Sequence, residues 1–241
     1  TQNYRPISIL PVMSKVFEKV VYNRIYSFLQ QNNILSANQF GFRKGLSTEM
    51  ALASFVEKIT TALDKGQHAV GVFLDLKKAF DTVNYNILFD KLSHIGIRGN
   101  SLKLLKSYLN NRKQTVTISS VKSSFKEILC GVPQGSILGP LLFLIYINDL
   151  PNALRFSFPI MYADDTNIFY SGKNLTEIEN SLNNDLHSLN NWLSANKLSL
   201  NLSKTHTMLF TLNNRLKNHK PLIKINSTEI DCSTSTTFLG V

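Results

Sequence analysis

The chain has 241 residues, 43% hydrophobic and 10% aromatic, enough for one or two domains with a sizeable core. Lys and Arg number 26 against 16 Asp and Glu, a net charge of +10, so charge alone points to a polyanionic partner, nucleic acid or an anionic membrane surface. Two cysteines, Cys130 and Cys232, and five scattered histidines exclude a disulfide scaffold and a zinc site, and the longest apolar run, Leu141–Ile147, is far short of the ~20 residues that span a bilayer.

Taken in chain order, Val16, Phe17, Val20, Val21, Ile25, Phe28 and Leu29 form a helical stripe with Ser14 as its N-cap. Leu52, Phe55, Ile59 and Leu63 predict a second helix from Thr48 to Gly66, where glycine can end it. Ala69–Leu76 reads as a buried strand carrying Asp75 at its end, and Asp81 suits the cap of a helix beginning near Thr82. Leu102, Leu105 and Leu109 suggest a further helix. Thr115–Ile118 and Phe125–Cys130 flank a Ser/Lys-rich turn and read as a hairpin. A helix is expected over Leu138–Leu150. Pro159–Tyr162 and Thr166–Tyr170 flank a tight turn at Ala163-Asp164-Asp165. The stripe Ile178, Leu182, Leu186, Leu189 and Leu193 follows, with Thr176 and Glu179 as a capping box. Met208–Leu212 and Ile223–Ile225 are weaker strand signals. The mixture of helices and antiparallel hairpins argues for an α+β fold. With no repeat, linker, signal peptide or initiating Met, the chain reads as one continuous unit cut from a longer polypeptide, and its cysteine usage suits a reducing compartment.

The chemistry sits at strand ends. A carboxylate beside buried apolar sequence is costly unless it is paired or metal-bound. If two strand ends lie side by side, Asp75 and the Asp164-Asp165 pair meet, and divalent cations relieve their repulsion. Oxygen-only ligands suit Mg²⁺, and two such ions serve in-line phosphoryl displacement. Taken singly, each aspartate is equally ordinary, in a turn or capping a helix.

The motifs in combination are far more specific. Tyr4-Arg5-Pro6-Ile7-Ser8, Gln39-Phe40-Gly41-Phe42-Arg43-Lys44-Gly45, Phe73-Leu74-Asp75-Leu76-Lys77-Lys78-Ala79-Phe80-Asp81, Gly131-Val132-Pro133-Gln134-Gly135-Ser136, Tyr162-Ala163-Asp164-Asp165, Asn201-Leu202-Ser203-Lys204-Thr205 and Phe238-Leu239-Gly240-Val241 occur in this order. Together they closely resemble the reverse transcriptases of non-LTR (LINE-like) retrotransposons, the jockey-like group in particular.

That resemblance implies a right-hand polymerase fold with fingers over residues 1–68 and palm over 69–241, ending in the primer-grip region with the thumb absent. It implies two Mg²⁺ ions, with Mn²⁺ as a substitute, held by Asp75, Asp164, Asp165 and the carbonyl of Leu76. Lys204 would protonate the departing pyrophosphate. The dNTP would meet Arg5 through its phosphates, then Leu76, Lys77, Lys78 and Ala79, with Phe80 excluding a 2′-hydroxyl and Gln134 and Gly135 at the sugar or nascent base pair. Template and primer would touch Arg43, Lys44, Gly45, Pro133, Tyr162, Leu239 and Gly240. Implied partners are an RNA template, a DNA primer or target and dNTPs, with no membrane, and an endonuclease and thumb on the same full-length polypeptide; implied localisation is nuclear. The resulting expectation is an RNA-directed DNA polymerase. Alternatives are a catalytically silent nucleic-acid scaffold, a group II intron-type or telomerase-type reverse transcriptase, and a nucleotidyl cyclase on a related palm.

Overall fold

The computed structural model describes residues 7–216 and 218–240. Helices α1 (Val12–Gln31) and α2 (Thr48–Asp64) precede strand β1 (His68–Leu74). After a 3₁₀ turn at Ala79–Asp81 come α3 (Tyr85–His94) and α4 (Gly99–Leu109). Four short strands follow: β2 (Lys113–Gln114), β3 (Thr117–Ile118), β4 (Val121–Lys122) and β5 (Lys126–Glu127). Then come α5 (Leu138–Ile147), β6 (Phe158–Tyr162), β7 (Asp165–Gly172), α6 (Leu175–Ala195), β8 (His206–Phe210), β9 (Lys224–Ile225) and β10 (Thr228–Glu229).

Two compact units are interleaved along the chain. One takes the described residues up to Ile34 together with Lys78–Tyr146; the other takes Leu35–Lys77 and the described residues from Ile147 onward.

The second unit is built on an antiparallel sheet of order β6-β7-β1-β8. Side chains alternate between its faces. Ala69, Phe73, Ile160 and Phe169 turn to the face covered by α2 through Ala51, Phe55, Ile59 and Ala62. Phe55 sits among four aromatic edges, from Phe73, Phe169, Phe210 and Phe238, at centroid distances of 5.6–6.1 Å. Val70, Val72 and Ile168 turn the other way, and there α6 lays down its buried stripe, Ile178, Leu182, Leu186, Leu189 and Leu193.

In the first unit the apolar run Leu141–Tyr146 is buried within α5. Other buried side chains come from α1 (Val21, Ile25, Leu29), α3 (Leu88, Leu92) and α4 (Leu105, Leu109). A buried carboxylate joins α1 to α5: Glu18 Oε2 accepts from the N–H groups of Ile137 (2.7 Å) and Leu138 (3.3 Å), and Oε1 accepts from the Tyr108 hydroxyl (2.9 Å). These are the orphan donors of a helix start, where negative charge is also favoured by the dipole.

Several boundaries differ from expectation. α1 begins at Val12 after Pro11, so Ser14 lies inside the first turn and is no cap. α6 is capped by Asn174, whose side chain accepts from Thr176 N, and Glu179 instead accepts from Leu222 N at 3.0 Å, so the capping box does not form. Asp81 caps nothing: α3 starts at Tyr85 with Asn84 Oδ1 accepting from Ile87 N. The expected hairpin over 115–130 is split into two short ladders, β2 with β5 and β3 with β4, around a turn in which Ser119 and Ser120 are left-handed. The second helix matches closely, with Ser47 capping it and Gly66 left-handed just past its end (φ 66°).

Candidate active site

The metal-ligand candidates all belong to the second unit. In the β6–β7 hairpin Tyr162 faces Asp165 across a two-residue turn, Ala163-Asp164, that Ala163 enters in the left-handed region (φ 57°). β7 then pairs with β1, Thr166 opposite Leu74. One step further along both strands, Asp75 leaves β1 beside Asp165. The two strand ends therefore bring Asp75 to the hairpin that carries Asp164 and Asp165. Asp75 and Asp164 are half-buried and Asp165 is exposed.

Neighbouring backbone fixes the position of Asp75. Its carbonyl accepts from Asn201 N at 2.7 Å and its N–H donates to Thr205 Oγ1 at 3.5 Å. Leu76 bridges Leu200, and Lys77 N donates to Ser199 O at 2.8 Å. Carbonyl directions alternate along a strand. The Leu76 carbonyl is thus turned away from the 199–201 segment, to the β7 side where the hairpin aspartates lie. Lys204 is exposed on the turn that joins this segment to β8, its N–H bonded to Asn201 O at 3.0 Å. The roles of Asn201 and Thr205 as supports of Asp75 have no local sequence signal, because both act across more than a hundred residues of chain.

The aspartates at these adjoining strand ends and the Leu76 carbonyl offer oxygen donors only. Among the described residues no three His, Cys, Asp or Glu side chains gather as a cage that could hold a metal ion. Mg²⁺ needs no such cage, since it is typically held by one or two carboxylates plus water and substrate phosphates. The donor set fits Mg²⁺.

The candidate nucleotide-pocket residues Phe80, Gln134 and Gly135 belong to the first unit, as do Lys78 and Ala79. Two loops are laced together there. Val132 N donates to Phe80 O and Gly131 N to Val83 O, both at 2.8 Å, and Gln134 Nε2 donates to Asp81 Oδ1 at 2.8 Å. A Cβ on Gly131 would stand 2.6 Å from Asp81 O, so only glycine permits this approach. Phe80 is half-buried, its ring stacked on the fully buried Phe143 at 4.3 Å. Gly135 is exposed and left-handed (φ 94°), Pro133 is half-buried, and Lys77 and Lys78 are exposed.

Of the template and primer candidates, Pro133 belongs to the first unit and Arg43, Lys44, Gly45, Tyr162, Leu239 and Gly240 to the second. Lys44 and Gly45 are exposed on the loop before α2. Arg43 is half-buried, and its Nη1 donates to two loop carbonyls, Ser36 O (2.7 Å) and Gln39 O (3.2 Å), so its guanidinium braces its own loop. Tyr162 and Leu239 are partly buried against the Phe55 core, and Gly240 is exposed. Arg5 lies outside the described residues.

An antiparallel sheet between helices, with one aspartate ending a central strand and two more on the adjoining hairpin, defines the palm of the α+β right-hand polymerase fold. The chain belongs to the reverse transcriptase (RNA-dependent DNA polymerase) family, which it matches over residues 1–241. It is 33% identical to a probable RNA-directed DNA polymerase from transposon X-element of Drosophila melanogaster, over 99% of this chain and 26% of the relative. It is 31% identical to the RNA-directed DNA polymerase from mobile element jockey of Drosophila funebris, over 99% of this chain and 26% of that protein. The chain thus spans about a quarter of the length of these curated relatives. Among solved structures, telomerase from Candida tropicalis, determined with a fragment of telomeric RNA, superposes with a TM-score of 0.57 at 14% identity, covering 82% of this chain and 34% of that one. The LINE-like, jockey-related resemblance expected from the motifs is confirmed.

Proposed function

We propose that this chain is the fingers and palm of an RNA-directed DNA polymerase that serves retrotransposition, adding dNTPs to a primer 3′-hydroxyl on an RNA template. The observation that carries the reading is the strand register, Leu74 opposite Thr166 and Tyr162 opposite Asp165, which sets Asp75 beside the Asp164-Asp165 turn. Asp75, Asp164, Asp165 and the Leu76 carbonyl would hold two Mg²⁺ ions, which when bound activate the 3′-hydroxyl and neutralise charge on the leaving pyrophosphate.

The chain's own residues supply position. The Asn201 N–H, which donates to the Asp75 carbonyl, and the Thr205 hydroxyl, which accepts from Asp75 N, hold Asp75 at the end of β1. Lys204, on the same turn, serves as the cation or proton donor toward pyrophosphate. Phe80, seated on Phe143, closes the space a 2′-hydroxyl would need, and Gln134, steadied by Asp81, contacts the nucleotide. Exposed basic residues, Lys44 among them, bind the template backbone in a sequence-independent, salt-sensitive way. On this reading the full-length polypeptide also carries an endonuclease and a thumb, and it acts in the nucleus.

Template choice tests the reading. Full-length polypeptide should extend oligo(dT) with dTTP on poly(rA) at least as well as on poly(dA). Incorporation confined to the DNA template would contradict it, as would binding of both duplexes without synthesis.

A further inference from the structure

The turn that presents Asp164 is held by a residue far away in sequence. Gln39 is 2% exposed. Its carboxamide makes three hydrogen bonds: Oε1 accepts from Ala163 N (2.9 Å) and Gly41 N (2.8 Å), and Nε2 donates to Ala163 O (3.2 Å). Both main-chain groups of Ala163 are thereby satisfied inside a tight turn, where a left-handed alanine would otherwise leave them short of partners. The flanking backbone is bound separately: Met161 N donates to Asn38 O (2.9 Å) and Phe40 N to Met161 O (2.8 Å), so residues 38–40 run alongside β6. The side chain is therefore not needed to attach the loop to the strand. What it adds falls on the residue immediately before Asp164. Gly41 lets the segment come this close, since a Cβ there would stand 2.2 Å from Ala163 N. Arg43 in turn holds the Gln39 carbonyl. An amide suits the task because it both donates and accepts without adding charge beside three carboxylates.

We propose that Gln39 is the positioning residue of the metal-binding turn: its carboxamide sets the main-chain conformation from which Asp164 presents its carboxylate to Mg²⁺. The inference rests on the reading of Asp75, Asp164 and Asp165 as metal ligands. Groups that orient a ligand in this way typically contribute 10–100-fold to metal affinity.

The test uses full-length polypeptide carrying Gln39→Met, which keeps length but removes the amide, with Gln39→Asn, a shorter amide, as the second variant and Asp164→Asn as reference. Mn²⁺ binding is followed by electron paramagnetic resonance, and the Mg²⁺ dependence of primer extension is measured in parallel. Thermal unfolding identifies which variants are folded. Folded Gln39 variants should bind Mn²⁺ about 10–100-fold more weakly and need correspondingly more Mg²⁺ for half-maximal extension, with template–primer affinity within about twofold of wild type. A structural role alone would shift the unfolding temperature and leave both metal dependences in place. If Asp164→Asn loses Mn²⁺ affinity while a folded Gln39 variant does not, the inference falls and the metal reading stands. If Asp164→Asn binds Mn²⁺ as wild type does, the metal reading falls and takes the inference with it.

Discussion

Arg43 and Lys44 are neighbours with different work. Arg43 hydrogen-bonds the carbonyls of its own loop, whereas Lys44 is exposed. Arg43→Ala should lower stability by about 1–3 kcal/mol, because it removes two hydrogen bonds and takes the guanidinium donor from the carbonyl of buried Gln39, yet leave the salt dependence of RNA binding unchanged. Lys44→Ala should reduce the slope of log affinity against log salt by about one while stability holds. Filter binding across a salt series, beside urea melts, separates the two; the reverse pattern would return Arg43 to the template surface. Phe80 has two partners to satisfy, Phe143 beneath it and, on the proposed function, the nucleotide sugar. Phe80→Val should raise the ratio of kcat/KM for rNTP over dNTP and also cost about 1 kcal/mol or more in stability through the lost aromatic pair. A stability loss with no change in that ratio makes Phe80 a core residue alone.

Among the elements, the start of α5 is the most electrostatically exposed to test. Burial pushes the Tyr108 hydroxyl up to about 12 from 10, its bond to Glu18 and that carboxylate's charge acting in the same direction. A phenol whose folded pKa is raised favours the protonated fold. Its contribution is constant below pH 10 and is lost as pH rises from 10 through about 12, where the unfolded chain releases its proton first. Urea melts should show wild type losing on the order of 2 kcal/mol more than Tyr108→Phe over that window; parallel decline of the two proteins would contradict the burial argument. The elements themselves were legible where one physical signal acted alone. The stripe of α2, the run of α5 and the hairpin around Ala163-Asp164 follow directly from periodicity and turn chemistry. Boundaries were less legible where several polar residues compete. Asn174 and Thr176 both suit a cap, and Glu179 is drawn off by Leu222 N, a partner outside the helix. In the same way, the three aspartates announce themselves by standing next to apolar strands. Gln39, Asn201 and Thr205 do not, because each acts through a contact that only folding creates.

For the molecule as a whole, net charge and the carboxylate turn make separate demands. The excess of ten positive charges should give RNA affinity that falls steeply between about 50 and 200 mM salt, whatever the state of the aspartates. No helix among the described residues is long and apolar enough to cross a membrane. Catalysis should depend on the strand register at Asp75 and the turn at Asp164. Single-turnover incorporation of one dNTP by full-length polypeptide, wild type against Asp164→Asn, tests this most directly. The substitution keeps the shape of the side chain and removes one charge from the ligand set. The rate should fall by at least about 10³-fold, roughly 4 kcal/mol of barrier, with template–primer affinity unchanged. Incorporation at near the wild-type rate by Asp164→Asn would contradict the assignment of this turn as the metal site.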